Sequence, residues 1–359
     1  MHILFIGQKG LPAQNPSDTS EKRVEALVSH LSQQGHSVTV VCERGYTPNS
    51  LRFIQTAQLY RPRRLLPASV GILWQIWRQR PDVIHIQNWK AARLVRFAVL
   101  LSPESTYVWT ISELPKTWRR ARFTAWLNTR AFDAITTPGR HLQYLLLVQL
   151  GLRVTYIPDG YTPSELPLIP ATAWKLRKNQ YALTTASTPK DVEWIAQTYK
   201  QLKTRKKLVT VGKMAEFARL KRKYPFLVNI NSLGNRAVVS LIHQATVVIA
   251  LSADEQLLQA MHGQRPIIAV ASPALEEIVG TTANIVMQGD SDTLSGLLRK
   301  TLKKADSASV LSKKAAKRAQ AHFRWKRIYE EYSTLYHYPT TKRIPLDSVV
   351  PRRHVAVSA

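Results

Sequence analysis

The feature that most constrains this chain is an alternation, played out twice, of short apolar runs with segments whose apolar residues recur at helical spacing. In the first half the runs are His2 to Gly7, Ser37 to Cys42, Asp82 to Ile86, Tyr107 to Ile111, Ala134 to Pro138 and Val154 to Pro158. In the second half they are Tyr181 to Thr185, Leu208 to Gly212, Phe226 to Asn231, Thr246 to Ser252, Pro266 to Ser272 and Ala283 to Gln288. Runs that are apolar along most of their length suit strands buried on both faces, and helical segments between them make each half a parallel sheet wrapped by crossover helices. The fold class read from this pattern is α/β, two Rossmann-like doubly wound domains facing across a cleft.

The connections support the same division. Asp18-Thr19-Ser20-Glu21 forms a capping box, and Val24, Leu27, Val28 and Leu31 follow at helical spacing, so a helix packs on the first sheet. Turn residues and prolines crowd Ile157-Pro158-Asp159-Gly160-Tyr161-Thr162-Pro163 and Pro167 to Pro170, which marks the interdomain linker. A length of 359 residues fits two domains of about 150 residues each plus a tail. The expected division is 1–160, 161–322, a C-terminal helix over 323–338 that docks back on the first domain, and a mobile basic tail over 339–359. The docking helix is read from Trp325, Ile328, Tyr329, Tyr332, Leu335 and Tyr336, which make one aromatic face.

Composition removes several classes. An apolar fraction of 45% argues against disorder despite a net charge of +28. Cys42 is the only cysteine, so neither an internal disulfide nor a cysteine metal site forms, and a reducing, cytoplasmic compartment is expected. The start, Met1-His2-Ile3-Leu4-Phe5-Ile6-Gly7, lacks a basic n-region and a long apolar h-region and reads as a buried strand. No apolar stretch approaches the ~20 residues of a membrane span. The positive field attracts anionic lipid, nucleic acid or sugar nucleotides alike.

Two doubly wound domains suit a dehydrogenase, a binding protein or a GT-B transferase, so the local motifs must decide. Ile3-Leu4-Phe5-Ile6-Gly7-Gln8-Lys9-Gly10-Leu11-Pro12-Ala13 resembles the opening of family 4 glycosyltransferases. The same order of motifs continues through Gln34-Gly35-His36-Ser37-Val38, Asp82-Val83-Ile84-His85 and Ile157-Pro158-Asp159-Gly160. It runs on through Ser252-Ala253-Asp254-Glu255, Gln259-Ala260-Met261-His262-Gly263 and Phe323-Arg324-Trp325. The resemblance, to the group 1 glycosyltransferases of family 4 type, spans nearly residues 1 to 337. It implies a GT-B transferase that moves a sugar from a UDP- or GDP-linked donor to a glycan or lipid-linked acceptor in envelope polysaccharide synthesis, with retention and without metal or cofactor.

The resemblance also assigns candidate residues. Lys190, in Thr188-Pro189-Lys190 before an amphipathic helix, stands where the family has a diphosphate-binding lysine, and Thr185 stands in place of its arginine. Glu255 and Gln259 occupy the positions of the family's paired glutamates, E-x7-E, but only three residues separate them here. Gly7 and Gly10 belong to the first-domain loop, whose continuation Gln14-Asn15-Pro16-Ser17-Asp18 lacks the family's glycine pair. The family's first-domain histidine falls at Ser112, beside Glu113.

Each candidate has an ordinary counterpart. Lys190 is one of 51 basic residues and suits a solvated helix start, and Glu255 suits a helix N-terminus through the macrodipole alone. Glu276 and Glu277 begin a helix as naturally as they match a family motif, and His85, closing a buried strand, reads as a hydrogen-bonded core histidine. The altered motifs keep a rival reading open, a catalytically inactive GT-B scaffold that binds a glycan, nucleotide or partner enzyme. A nucleic-acid binder rests on charge alone and lacks a recognition motif. Arg61 to Arg64, Trp74, Trp77, Arg78, Arg80 and Trp118 to Phe123 make a basic, aromatic first domain suited to the inner face of an anionic membrane, with a solvated helix as the plainer reading of each segment.

Overall fold

The computed structural model describes residues 1–8, 19–42, 57–60, 65–114, 131–163, 167–212, 214, 216–231, 234–303 and 310–339. Two parallel sheets organise them. The first holds β1 (His2–Gln8), β2 (Ser37–Cys42), β3 (Ala57–Tyr60), β4 (Val83–Ile86), β5 (Thr106–Thr110), β6 (Ala134–Thr137) and β7 (Thr155–Tyr156), in the order β3-β2-β1-β4-β5-β6-β7. The second holds β8 (Tyr181–Thr184), β9 (Lys207–Val211), β10 (Leu227–Ile230), β11 (Val247–Ala250), β12 (Ile267–Val270) and β13 (Asn284–Val286), in the order β10-β9-β8-β11-β12-β13.

All twelve expected strands are present within a few residues, and β3 is an addition. Its sequence, Ala-Gln-Leu-Tyr, has no β-branched residue and too few apolar positions to register as a strand, and it lies at the sheet edge against Val38 to Val41. The tail from residue 340 and the capping residue Asp18 lie outside the described residues, as do Arg61 to Arg64 and Trp118 to Phe123.

Alternate side chains of the first sheet feed two cores. Ile3, Phe5, Val38, Val40 and Val108 meet helix Thr19–Gln33 and helix Trp325–His337 on one face. Leu4, Ile6, Ile84, Ile86 and Trp109 meet helices Leu65–Gln79, Trp89–Leu101 and Arg140–Leu150 on the other. Each large aliphatic side chain buried in this way contributes roughly 1.5–3 kcal/mol.

The chain crosses between the sheets twice, and the crossings run side by side. Ile157 packs in the first core while Tyr161 packs in the second; Phe323 packs in the second core while Trp325 packs back in the first. The Tyr161 N–H donates to the Phe323 carbonyl at 2.9 Å, and the Trp325 N–H donates to the Tyr161 carbonyl at 3.3 Å. The aromatic face of the last helix is thus buried on the first lobe, with Ile328 and Tyr332 wholly inaccessible.

Candidate active site between two lobes

In an open parallel sheet, ligands settle beyond the carboxyl ends of the strands where the strand order reverses. Here the reversals lie between β1 and β4 and between β8 and β11. At the first, Gly7 follows the buried run of β1 with φ +94°, a conformation that favours glycine, and interrupts the register between Ile6 and Gln8. The Asn88 side chain fills the adjoining space, donating to the Gly7 carbonyl at 2.6 Å and accepting from the Ala91 N–H at 2.7 Å. A Cβ on Gly7 would stand 2.6 Å from Asn88 Nδ2. Gly10 lies outside the described residues.

At the second reversal, Thr185 ties the two strand ends together. Its Oγ1 accepts from the Leu251 N–H at 3.0 Å and lies 3.4 Å from the Ser252 hydroxyl, which sits 2.8 Å from Asp254. Asp254 caps helix Glu255–His262, accepting from the Gln256 and Leu257 N–H groups at 2.9 and 3.2 Å. Burial pushes its carboxyl above the usual range, opposed by those hydrogen bonds. Lys190 is exposed at the second position of helix Pro189–Lys200, whose N-cap is Thr188. Both helices begin at the carboxyl edge of the second sheet, so Lys190, Thr185 and Glu255 share that edge.

Glu255 and Gln259 lie one turn apart and line an interlobe cleft of about 1380 Å³ together with Lys22, Thr162, Arg236 and Arg324. The Lys22 ammonium lies 2.9 Å from the Glu255 carboxylate, which ties the first turn of helix Thr19–Gln33 to the second lobe. Gln259 is buried; its amide donates to the Thr162 carbonyl at 2.9 Å, while its Oε1 has no partner among the described residues. A buried acceptor left unpaired costs about 1–3 kcal/mol.

Ser112 and Glu113 follow β5. Ser112 accepts from Arg23 Nη1 at 2.9 Å, and Arg23, with 0% exposure, also pairs with Asp159 through Nε and through Nη2 at 2.9 Å. Where the family resemblance expects histidine, the side chain is therefore held by a buried guanidinium. Glu113 is exposed, and its carbonyl accepts from the Trp89 indole at 3.0 Å.

Lys22 and Arg23 are the residues that sequence reading missed as site-builders. A signal for both was present: cations so near the start of a helix oppose its dipole, so they imply partners elsewhere. Glu277 reaches the other lobe, accepting from the Arg140 N–H at 2.7 Å at the start of helix Arg140–Leu150, whose own N-cap, Gly139, has no side chain to offer. Nothing local in Glu276-Glu277 distinguishes that role.

His85 is fully buried, with Nδ1 2.8 Å from the Tyr336 hydroxyl and Nε2 2.7 Å from the Thr110 hydroxyl. Desolvation, and secondarily the Arg23 charge, lowers its pKa from 6.5 to about 3. Its role is to pin the last helix to the first sheet. Among the described residues, no group of three His, Cys, Asp or Glu side chains stands ready to hold a metal.

Comparison with known proteins agrees with this architecture. Residues 20–165 match the model of Glycosyltransferase Family 4, and residues 181–304 match that of Glycosyl transferases group 1. No curated protein matches the sequence. The fold is similar to HepE from Anabaena, solved in complex with UDP and glucose, at 14% identity and a TM-score of 0.73, covering 94% of this chain and 99% of that one. It is also similar to a glycosyltransferase from Rickettsia africae at 12% identity and a TM-score of 0.75, covering 93% and 97%. Sucrose-phosphate synthase from Thermosynechococcus elongatus gives 16% and 0.73, covering 94% and 98%. With two doubly wound lobes, a cleft between them and a family match on each lobe, the chain belongs to the family-4-like group 1 glycosyltransferases of GT-B fold.

Proposed function

We propose that the protein works in the cytoplasm, transferring a sugar from a UDP- or GDP-linked donor to a glycan or lipid-linked acceptor of envelope polysaccharide synthesis. The observation that carries this reading is a cleft between two lobes, each matching a glycosyltransferase family model, whose wall presents Lys22, Arg236 and Arg324. These cations offset diphosphate charge. In the transfer, an acceptor hydroxyl oxygen forms a bond to the anomeric carbon, the bond from that carbon to the diphosphate oxygen breaks, and the hydroxyl proton is released. The leaving diphosphate gains negative charge, and Lys190, exposed at a helix N-terminus on the carboxyl edge of the second sheet, is the candidate to stabilise it. Family resemblance supports retention at the anomeric carbon and chemistry without a metal.

The test is release of UDP or GDP from nucleotide hexoses incubated with glycolipid extracts. Time-dependent release that needs acceptor supports transfer; no release from any donor, with intact protein, contradicts it.

A second reading, a non-catalytic scaffold, draws on two contacts. Glu255 is held by Lys22, and Ser112 is held by Arg23, so two positions expected at the reaction centre serve structural pairs. Nucleotide binding without turnover is the outcome that favours it.

A further inference from the structure

The interlobe cleft continues as a groove along the first helix. Lys22, Glu25, Ala26, Ser29, His30 and Gln33 recur at the spacing of one helix face, so this wall follows helix Thr19–Gln33 for about 16 Å. Helix Asn235–Gln244 of the second lobe supplies another wall, and the crossing segments 160–163 and 324–326 complete the lining. A volume of about 1380 Å³ exceeds the roughly 300–1,000 Å³ of a site for one small molecule, so the groove suits an extended ligand. Its exposed residues are Gln33, Thr162, Gly234, Asn235 and three cations, Arg236, Arg324 and Lys326, whereas its large apolar members, Tyr161 and Trp325 among them, are buried. With no exposed aromatic ring, the groove lacks the stacking platform of a single-stranded nucleic-acid site. Amide and hydroxyl groups beside cations suit a sugar chain that carries negative charge.

The charges of the wall do not cancel. Lys22, Arg236, Arg324 and Lys326 share it with two carboxylates, Glu25 and Glu255, and Glu255 is paired with Lys22. Among the described residues Arg236, Arg324 and Lys326 make no ion pair. The Arg236 guanidinium donates to the Pro167 carbonyl at 2.9 and 3.2 Å, which holds it in place and leaves its charge uncompensated. Lys326 acts on His30, whose pKa is lowered first by burial and then by that ammonium. His30 lies two turns, about 12 Å, along the helix from Lys22, so the Lys326 charge stands beyond a diphosphate held at the Lys22 end.

We propose that this groove binds the acceptor as an extended acidic glycan, one whose sugars carry carboxylate or other anionic substituents, with Arg324 and Lys326 reading that charge. The inference rests on the reading of the cleft as a glycan site and adds the charge and the length of the chain it takes. Charge complementarity fixes the occupant: a neutral glycan leaves three cations without counter-charge, and an acidic one pairs with them.

Calorimetric titration of the full-length protein, without donor, compares an oligogalacturonate, a malto-oligosaccharide of the same length and an oligouridylate of the same charge. Binding of the oligogalacturonate above both others, weakening as salt rises from about 50 to 500 mM, is expected. Arg324→Gln/Lys326→Gln should weaken it roughly tenfold. Arg299→Gln/Lys300→Gln, which removes two exposed cations from helix Ser291–Lys303 outside the groove, should leave it unchanged. Lys326→Gln alone, at an exposed helix position, should weaken binding by a smaller factor and keeps the test open if the double variant fails to fold. Equal weakening by the two double variants shows that net charge, not the groove, attracts the glycan, and overturns the proposal. Tighter binding of the oligouridylate, equal binding of the malto-oligosaccharide, or no binding of the oligogalacturonate overturns it too. Nucleotide release from sugar donors reports separately: acidic-glycan binding without release upholds this inference and counts against transfer, and release without acidic preference does the reverse.

Discussion

Lys22, in the first turn of the helix after β1, reaches across the cleft to place its ammonium 2.9 Å from the Glu255 carboxylate of the second lobe. Both side chains are largely shielded, at 24% and 14% exposure, so the pair is worth more than a surface bridge, and a coupling of about 1–2 kcal/mol is expected. Because it joins two lobes, its loss shifts the balance between closed and open forms. Lys22→Glu should enlarge the radius of gyration in X-ray scattering, and the reversed pair Lys22→Glu/Glu255→Lys should restore it. A charge reversal that leaves the radius unchanged means the contact does not hold the lobes.

The Arg23–Asp159 pair predicts an asymmetry. Arg23 is wholly buried while Asp159 retains 22% exposure. Asp159→Ala takes the carboxylate from a buried cation that keeps Ser112, and should cost about 3–5 kcal/mol. Arg23→Met leaves a carboxylate that water reaches and puts an apolar side chain in its place, and should cost less. Urea midpoints of the two variants decide it; equal losses contradict the burial argument.

Gly160 sits where the crossing segments touch. A Cβ there would lie 2.7 Å from Ile328 Cδ1, 2.9 Å from Trp325 Cδ2 and 3.1 Å from the Phe323 carbonyl. Gly160→Ala should therefore destabilise by about 1–3 kcal/mol through overpacking. A melting temperature equal to the wild type shows that the last helix moves aside at no cost.

Stability should fall with acid well before carboxylates titrate. Burial lowers the His85 pKa to about 3 and the His243 pKa to about 4, the latter with help from the His262 charge. The unfolded chain binds these protons from about pH 6.5 downward while the folded chain does not, so stability is lost as pH drops through that window. The slope from His85 approaches about 1.4 kcal/mol per pH unit. His85→Gln retains a hydrogen-bonding side chain without the titration. It should flatten denaturation midpoints between about pH 6.5 and pH 4, and an unchanged slope contradicts the assignment.

Much of the architecture was legible because it rests on local patterns. The apolar runs around Ile3, Val38, Ile84, Val248 and Ile268 could be buried only as central parallel strands, and the Trp325 to Tyr336 face had to dock on something. β3 was hidden because an edge strand needs no apolar run. The site was legible as positions and opaque as partners. Gln259 was singled out by resemblance, but the partner of its amide, the Thr162 carbonyl, lies 97 residues away. The Lys22 partner lies 233 residues along the chain, and no periodicity reports such a contact.

Calorimetric titration of UDP and GDP into wild type and Lys190→Ala tests the nucleotide-sugar site most directly. A donor site at the carboxyl edge of the second sheet predicts saturable binding of one nucleotide, weakened about 10- to 100-fold by Lys190→Ala through loss of a charge-assisted contact worth about 1.5–3 kcal/mol. Absence of binding of either nucleotide at about millimolar concentration, where even an affinity of roughly −4 kcal/mol registers, contradicts it.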